Sequence, residues 1–238
     1  ATPLFVPISG ILVKLAEKTI PVDEKEKKEA EKKKDIAILD PRFLHTPSFA
    51  VAQAKIAAME MANKTKECFY KASHLLEKYD PEQAAEATDL EEQIDHYEDQ
   101  LGTYLVKINA HHLSPQDSHE LSILLHCIND FERISDHSRN IKEVFENMQP
   151  KKKKFSDRAV EELVMIRTAV EEILNMAVRT FQTEDLKLAA RIEPLEEVID
   201  GLHMEIKQRH IKRLRKGKCT FDLGFDLADL CTDFERIA

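Results

Sequence analysis

The chain has no tryptophan and only five glycines among its 238 residues. Ala, Leu, Glu and Lys dominate in their place, and these residues favour helix. No CxxC pair occurs. The four cysteines (Cys68, Cys127, Cys219 and Cys231) stand far apart, which argues against zinc or disulfides and for reduced, buried thiols in a cytosolic compartment. An excess of positive charge is also missing. The net charge is −9, which excludes nucleic acid as a global partner. There is no Gly-rich phosphate loop, nucleophile elbow or HExxH. Enzyme chemistry therefore has no visible carrier, and no catalytic residue is assigned. A ferritin-like di-iron bundle needs Glu-x-x-His on two helices. The nearest match, Asp200-x-x-His203, occurs once. No charged leader precedes an apolar run, so a signal peptide is not expected.

One largely apolar stretch stands at the start, residues 1–22, with Lys14, Glu17 and Lys18 as its only charges. Proline breaks it, and it is short for a span, which needs about 20 apolar residues. Two readings stay open: the tail of a membrane span, or a short amphipathic helix packed on the domain. Residues 23–34, with six Lys against five acids, read as a solvated linker or exposed helix. The chain begins at Ala1 and stops inside a motif at Ala238. The expectation is a piece of a longer polypeptide.

What is present is helical period. Thr46-Pro47 opens a helix to about Tyr79, with Val51, Ala54, Ala58, Met61, Ala62, Thr65 and Phe69 as its buried stripe. Asp80-Pro81, with Gln83 at the capping-box position, opens a second helix that ends near His111-His112. Ser114-Pro115 opens a third to about Met148. Three long helices with short connections make an antiparallel bundle. The scheme then repeats. Ser156 caps a helix from Asp157 to about Phe181. Thr183 caps another to about Arg215, kinked at Pro194. Gly217 ends it, and Thr220 caps a last helix. Basic residues crowd the stretch from Lys207 to Lys218. The helix dipole favours cations there; contact with an acidic lipid surface or a partner is the functional alternative.

The repeat is internal duplication. Glu91-Glu92-Gln93-Ile94-Asp95 matches Glu196-Glu197-Val198-Ile199-Asp200, and Asp-Phe-Glu-Arg-Ile occurs at Asp130–Ile134 and again at Asp233–Ile237. The two motifs share nearly one offset, about a hundred residues, so the fold reads as all-α, two tandem antiparallel three-helix bundles after an N-terminal extension. The expected divisions are 1–45 for the membrane end, charged linker and junction, 46–149 for the first bundle and 150–238 for the second.

The duplicated letters carry acids. Glu132 and Asp136 are four apart, so they project from one helix face and repel. The same spacing pairs Glu91 with Asp95 and Glu196 with Asp200, and Glu235 lacks only a partner beyond the end. Oxygen-only sets suit Mg, Ca, Mn or ferric iron. The bland alternative is a solvated, ion-paired face. His96 and His137 each follow an acid by one residue and turn about 100° off the carboxylate face; they read as satisfied surface histidines, with a secondary ligand role as the alternative.

The run Phe131-Glu132-Arg133-Ile134-Ser135-Asp136-His137-Ser138-Arg139-Asn140-Ile141 resembles the signature of the PhoU family of phosphate-transport regulators, and the Glu-x-x-Ile-Asp motif fits it. The resemblance implies tandem three-helix bundles. It also implies metal clusters on the bundle surface, often iron, with Mn, Mg or Zn as other candidates. Carried over, it names Glu91, Asp95, Glu132, Asp136, Glu196, Asp200 and Glu235, and adds Asn140. The family usually has Gly at Ser135, and the acid equivalent to Asp136 in the second half falls beyond Ala238.

Leu39 to Pro47, preceded by Leu12 to Glu17, is similar to the junction in bacterial sodium/phosphate cotransporters, where a PhoU-like cytoplasmic tail follows a membrane domain. The leading expectation is thus a regulatory domain of a sodium-dependent phosphate transporter, at the cytoplasmic face as part of an integral membrane protein. Its expected partners are that membrane domain and a second copy in a homodimer. A free-standing PhoU-type adaptor is the alternative, and a metal-dependent hydrolase or oxidase stands third.

Overall fold

The computed structural model describes Ile36 and residues 38–238. The apolar run 1–22 and the charged run 23–34 lie outside the described residues. Residues 39–238 form one compact unit. After a 3-10 turn at Pro41–His45 come α1 (Pro47–Ser73), α2 (Pro81–Asn109), α3 (Pro115–Met148), α4 (Asp157–Thr183), the single turn α5 (Leu186–Ala189), α6 (Ile192–Arg215) and α7 (Phe221–Ile237). No strand occurs among the described residues.

Helices α1, α2 and α3 pack on one another, and α4, α6 and α7 do the same. The expected pair of three-helix bundles is therefore present. Their starts follow the predicted chemistry. Ser114 Oγ accepts from Asp117 N at 3.1 Å, and Asp80 accepts from Glu82 N at 3.0 Å. Proline sits in the first turn of α1, α2 and α3, where its missing N–H has no helical partner to lose. Two details differ. Thr46 makes no side-chain cap. Gln83 does not close a capping box but donates to Lys71 O at 2.6 Å, tying α2 back to α1.

Helix α1 runs through the middle. It contacts α2 and α3 in its own bundle and α4 in the other. Ala50, Ala54, Ala57, Ala58, Ala62 and Ala72 on it are fully buried. Small side chains on several sides let three helices approach one helix. The predicted stripe from Val51 to Phe69 is buried throughout, with Thr65 bonded to Met61 O at 3.0 Å.

The second bundle corrects the sequence reading at its first connection. Thr183 is no cap; it ends α4 and bonds back to Arg179 O at 2.8 Å. Glu184 turns the chain with φ 54°, and Asp185 caps α5 by accepting from Lys187 N and Leu188 N. Pro194 is the third residue of α6. The first four N–H groups of a helix have no intrahelical acceptor, so this proline starts the helix and does not kink it. At the other end Gly217 takes φ +63°. Gly217 N bonds Leu214 O at 2.9 Å and Lys218 N bonds Arg213 O at 3.0 Å, a Schellman closure.

The bundles are joined by α3 against α7 and α1 against α4. Phe69 meets Phe234 edge-on at 6.1 Å, and Phe131 meets Phe181 at 5.3 Å. Phe131 and Phe234 are the equivalent phenylalanines of the two Asp-Phe-Glu-Arg-Ile copies. Each therefore reaches a helix of the opposite bundle. Polar bonds cross as well. His74 Nε2 lies 2.9 Å from Glu171, and Arg167 bonds Glu77 at 3.0 Å. Among the described residues no helix is long and apolar enough to cross a membrane.

Candidate functional site

The first acidic face forms where α2 lies beside α3. Glu91 and Asp95 come from α2, Glu132 and Asp136 from α3. Glu91 is buried, with 3% of its surface exposed. Burial pushes its carboxyl above the ordinary range, and Asp95 pushes it further while Arg139 opposes. Asp95 keeps a solvent-exposed edge, yet partial burial and then Asp136 raise it too. Glu132 is raised by burial, then by Asp136 and Asp95. The four acids therefore feel one another across the helix pair. The repulsion expected from sequence within one helix also acts between two.

Arg139 answers part of that charge. Its guanidinium pairs with Glu91, lies 3.3 Å from Asp136 and 3.9 Å from Glu143. It is one helical turn past Asp136, so it folds back over the acids of its own helix. The sequence reading missed it. The available signal was its position in the same run as the acids. Among the described residues no three acidic, histidine or cysteine side chains close on one point at metal-ligand geometry. The donor set nonetheless fits a hard cation, since it is all oxygen, crowded, and short of positive charge.

Asn140 lies elsewhere. It donates to Asp233 Oδ1 at 3.4 Å, and His137 Nδ1 meets the same oxygen at 2.9 Å. Asp233 is buried, with 8% exposed. Burial raises its carboxyl, and bonds from His137 and Asn140 pull it back down. This cluster spans α3 and α7. His137 is satisfied, as expected, but by the other bundle and not by solvent. His96 is satisfied by Gln100 at 2.8 Å.

On the second bundle, Glu196 is half-buried and Asp200 exposed on α6, with Glu235 half-buried on α7. His203 joins the last two. Burial and Lys207 lower its pKa, while Glu235 and Asp200 work the other way. Its Nε2 is buried without a hydrogen-bond partner. Among the described residues these side chains form no metal-ligand cluster either. The thiols are all free. Cys68 and Cys231 are buried, each pushed up to about 12, chiefly by burial. Cys127 and Cys219 are only half-buried.

The PhoU domain family matches residues 58–145 and 165–238, more than half of the chain. The chain belongs to the PhoU family. Both matched segments contain the acidic motifs of one bundle. The chain is also similar to a phosphate-specific transport system accessory protein, PhoU homolog 1 of Thermotoga maritima, with 30% identity over 114 residues. That match spans 48% of each protein, so the chain covers about half the length of this relative. The crystal structure of PhoU from Pseudomonas aeruginosa superposes with a TM-score of 0.73, covering 78% of this chain and 88% of that one. At 16% identity this shows the shared fold.

One expectation is corrected here. The chain was expected to sit at the membrane as part of an integral membrane transporter. The PhoU relative it matches is named as an accessory protein of a transport system, and the described helices contain no apolar stretch that could span a bilayer. Each long helix instead alternates a buried stripe with a charged face, which a surface in water tolerates and hydrocarbon does not.

Proposed function

We propose that the chain is a PhoU-type adaptor that regulates phosphate uptake and signalling, without catalysis of its own. It acts by docking on a phosphate-transport system, and it carries metal ions on its two acidic faces. The observation that supports the metal role is the crowding of Glu91, Asp95, Glu132 and Asp136 under mutual repulsion. A bound cation removes that repulsion, and Arg139 supplies part of the same neutralisation in its absence. Iron, Mn, Mg and Zn are the candidate ions, held by Glu91, Asp95, Glu132 and Asp136 on the first face. Glu196, Asp200 and Glu235, with His203, serve the second.

The metal reading is tested by elemental analysis and by thermal melting with Fe, Mn, Mg and Zn. The wild type gains stability with at least one ion, and Glu132→Gln/Asp136→Asn loses most of that gain. An unchanged melting temperature with every ion in the wild type removes the metal role. The adaptor reading is tested by phosphate uptake in cells with and without the chain; unaltered uptake and signalling argue against it.

A further inference from the structure

The basic stretch that ends α6 does not stand alone. It faces the first turns of α4 across an open cleft of about 520 Å³. Arg158 comes from α4, Arg209, Lys212 and Arg213 from α6, and Lys216 and Lys218 from the turn that follows. Among the described residues Glu161 and Glu162 are the acids of the lining, and Glu205, one turn back on α6, also pairs with Arg209. Glu162 is buried, and it pairs with Arg213 at 2.7 Å and Arg209 at 3.7 Å. It therefore works from beneath the cleft, orienting two guanidinia. Among the described residues Arg158, Lys212, Lys216 and Lys218 have no ion pair. Arg209, Lys212, Arg213 and Lys216 recur at helical three- and four-residue spacing, where like charges destabilise a helix by about 0.2–0.5 kcal/mol per pair. The helix dipole compensates cations only at its last turn, and it says nothing of Arg158, which approaches from another helix. The Schellman closure at Gly217 folds Lys218 back toward Arg213.

We propose that this cleft binds a small oligophosphate, an anion of two or three linked phosphoryl groups. Six cations against Glu161, Glu162 and Glu205 leave a formal balance of plus three. A single phosphate group carries about −1.5 to −2 near neutral pH and leaves part of that charge unanswered. A chain of two or three matches it. Guanidinium forks held in place by Glu162 and Glu205 suit phosphoryl oxygens in bidentate fashion, and the lysines add mobile point charges. The cleft lies within the ~300–1,000 Å³ range of small-ligand sites, so it accommodates more than one phosphoryl group. Among the described residues its lining has one large apolar side chain, Met165, and no aromatic ring. A nucleobase has nothing to stack on there, so the phosphate chain and not a nucleoside is the recognised part.

This site is separate from the acidic faces, and the test keeps the two apart. Tripolyphosphate is titrated calorimetrically into the whole chain with EDTA present, at about 0.1 M salt. The expected result is saturable one-to-one binding that weakens as salt rises. Lys212→Gln/Lys216→Gln weakens it at least tenfold with an unchanged circular dichroism spectrum, because both side chains are unpaired. Glu132→Gln/Asp136→Asn leaves it unchanged. Orthophosphate and citrate bind at least tenfold more weakly, and ATP binds no tighter than tripolyphosphate. Equal binding by the lysine variant, or citrate as tight as tripolyphosphate, overturns the proposal. So does capture of the wild type by anionic lipid vesicles that tripolyphosphate fails to release, which would make the cleft a membrane contact.

Discussion

Arg139 and Glu91 form the tightest-held charge pair of the acidic face, and their exposures differ. Glu91 keeps 5% of its side chain in solvent and Arg139 keeps 40%. Removing one partner of a fully buried pair costs about 3–5 kcal/mol, and solvent screening at the arginine lowers that figure. Arg139→Ala is expected to destabilise the chain by roughly 2 kcal/mol, read by urea unfolding. Glu132→Gln acts the other way. Its carboxyl is raised in the folded chain by burial and by Asp136. A raised carboxyl binds its proton more readily folded than unfolded, so it opposes folding when ionised and ceases to do so as pH falls through its folded value. At pH 7, Glu132→Gln is expected to stabilise by about 0.5 kcal/mol. The gain should shrink as pH falls through the raised folded value, and a gain that instead grows on acidification contradicts the account. The acids at these places were legible in sequence because four-residue spacing puts them on one helical face. The contacts of Arg139 with Glu91 and of Asp233 with His137 were not, because those partners lie on other helices.

Helix boundaries follow local chemistry wherever the capping group and its target are a few residues apart. Ser114, Ser156 and Thr220 each accept from the N–H three residues on, and the sequence reading placed all three. The α4–α6 connection failed for an equally local reason. Thr183 resembles a cap, but Asp185, two residues later, holds two N–H groups, and the turn before it needs a left-handed residue. Glu184 supplies that residue despite its side chain. Gly217 occupies the same region with no Cβ to strain. Gly217→Ala is expected to cost about 1 kcal/mol, seen as a lower melting temperature. Because the turn also places Lys218, the same variant should weaken anion binding at the cleft. The basic run itself was visible in sequence. Its opposite wall, Arg158, was not, since only packing brings the start of α4 beside the end of α6.

At the scale of the molecule, the two bundles share one core through their phenylalanines. Phe234 is fully buried and meets Phe69 in the other bundle. Truncating a buried phenylalanine costs about 3–5 kcal/mol. Phe234→Ala should therefore lower the melting temperature by roughly 6–20 °C, at about 2–4 °C per kcal/mol for a chain of this size. The loss should appear in a single transition for both bundles, followed by circular dichroism and calorimetry together. Two separate transitions in the wild type would show that the interface couples the bundles weakly.

The amino-acid order alone determined the long helices, most of their caps and the doubling of the unit, since period, proline and cap residues act over one or two turns. It also determined that carboxylates recur in register. Only the folded chain decided which acids meet across α2 and α3, that Arg139 closes over two of them, and that the repeated phenylalanine joins the bundles. Those outcomes depend on which helix lies beside which, and pairing between segments distant in sequence is set by packing and leaves no local mark.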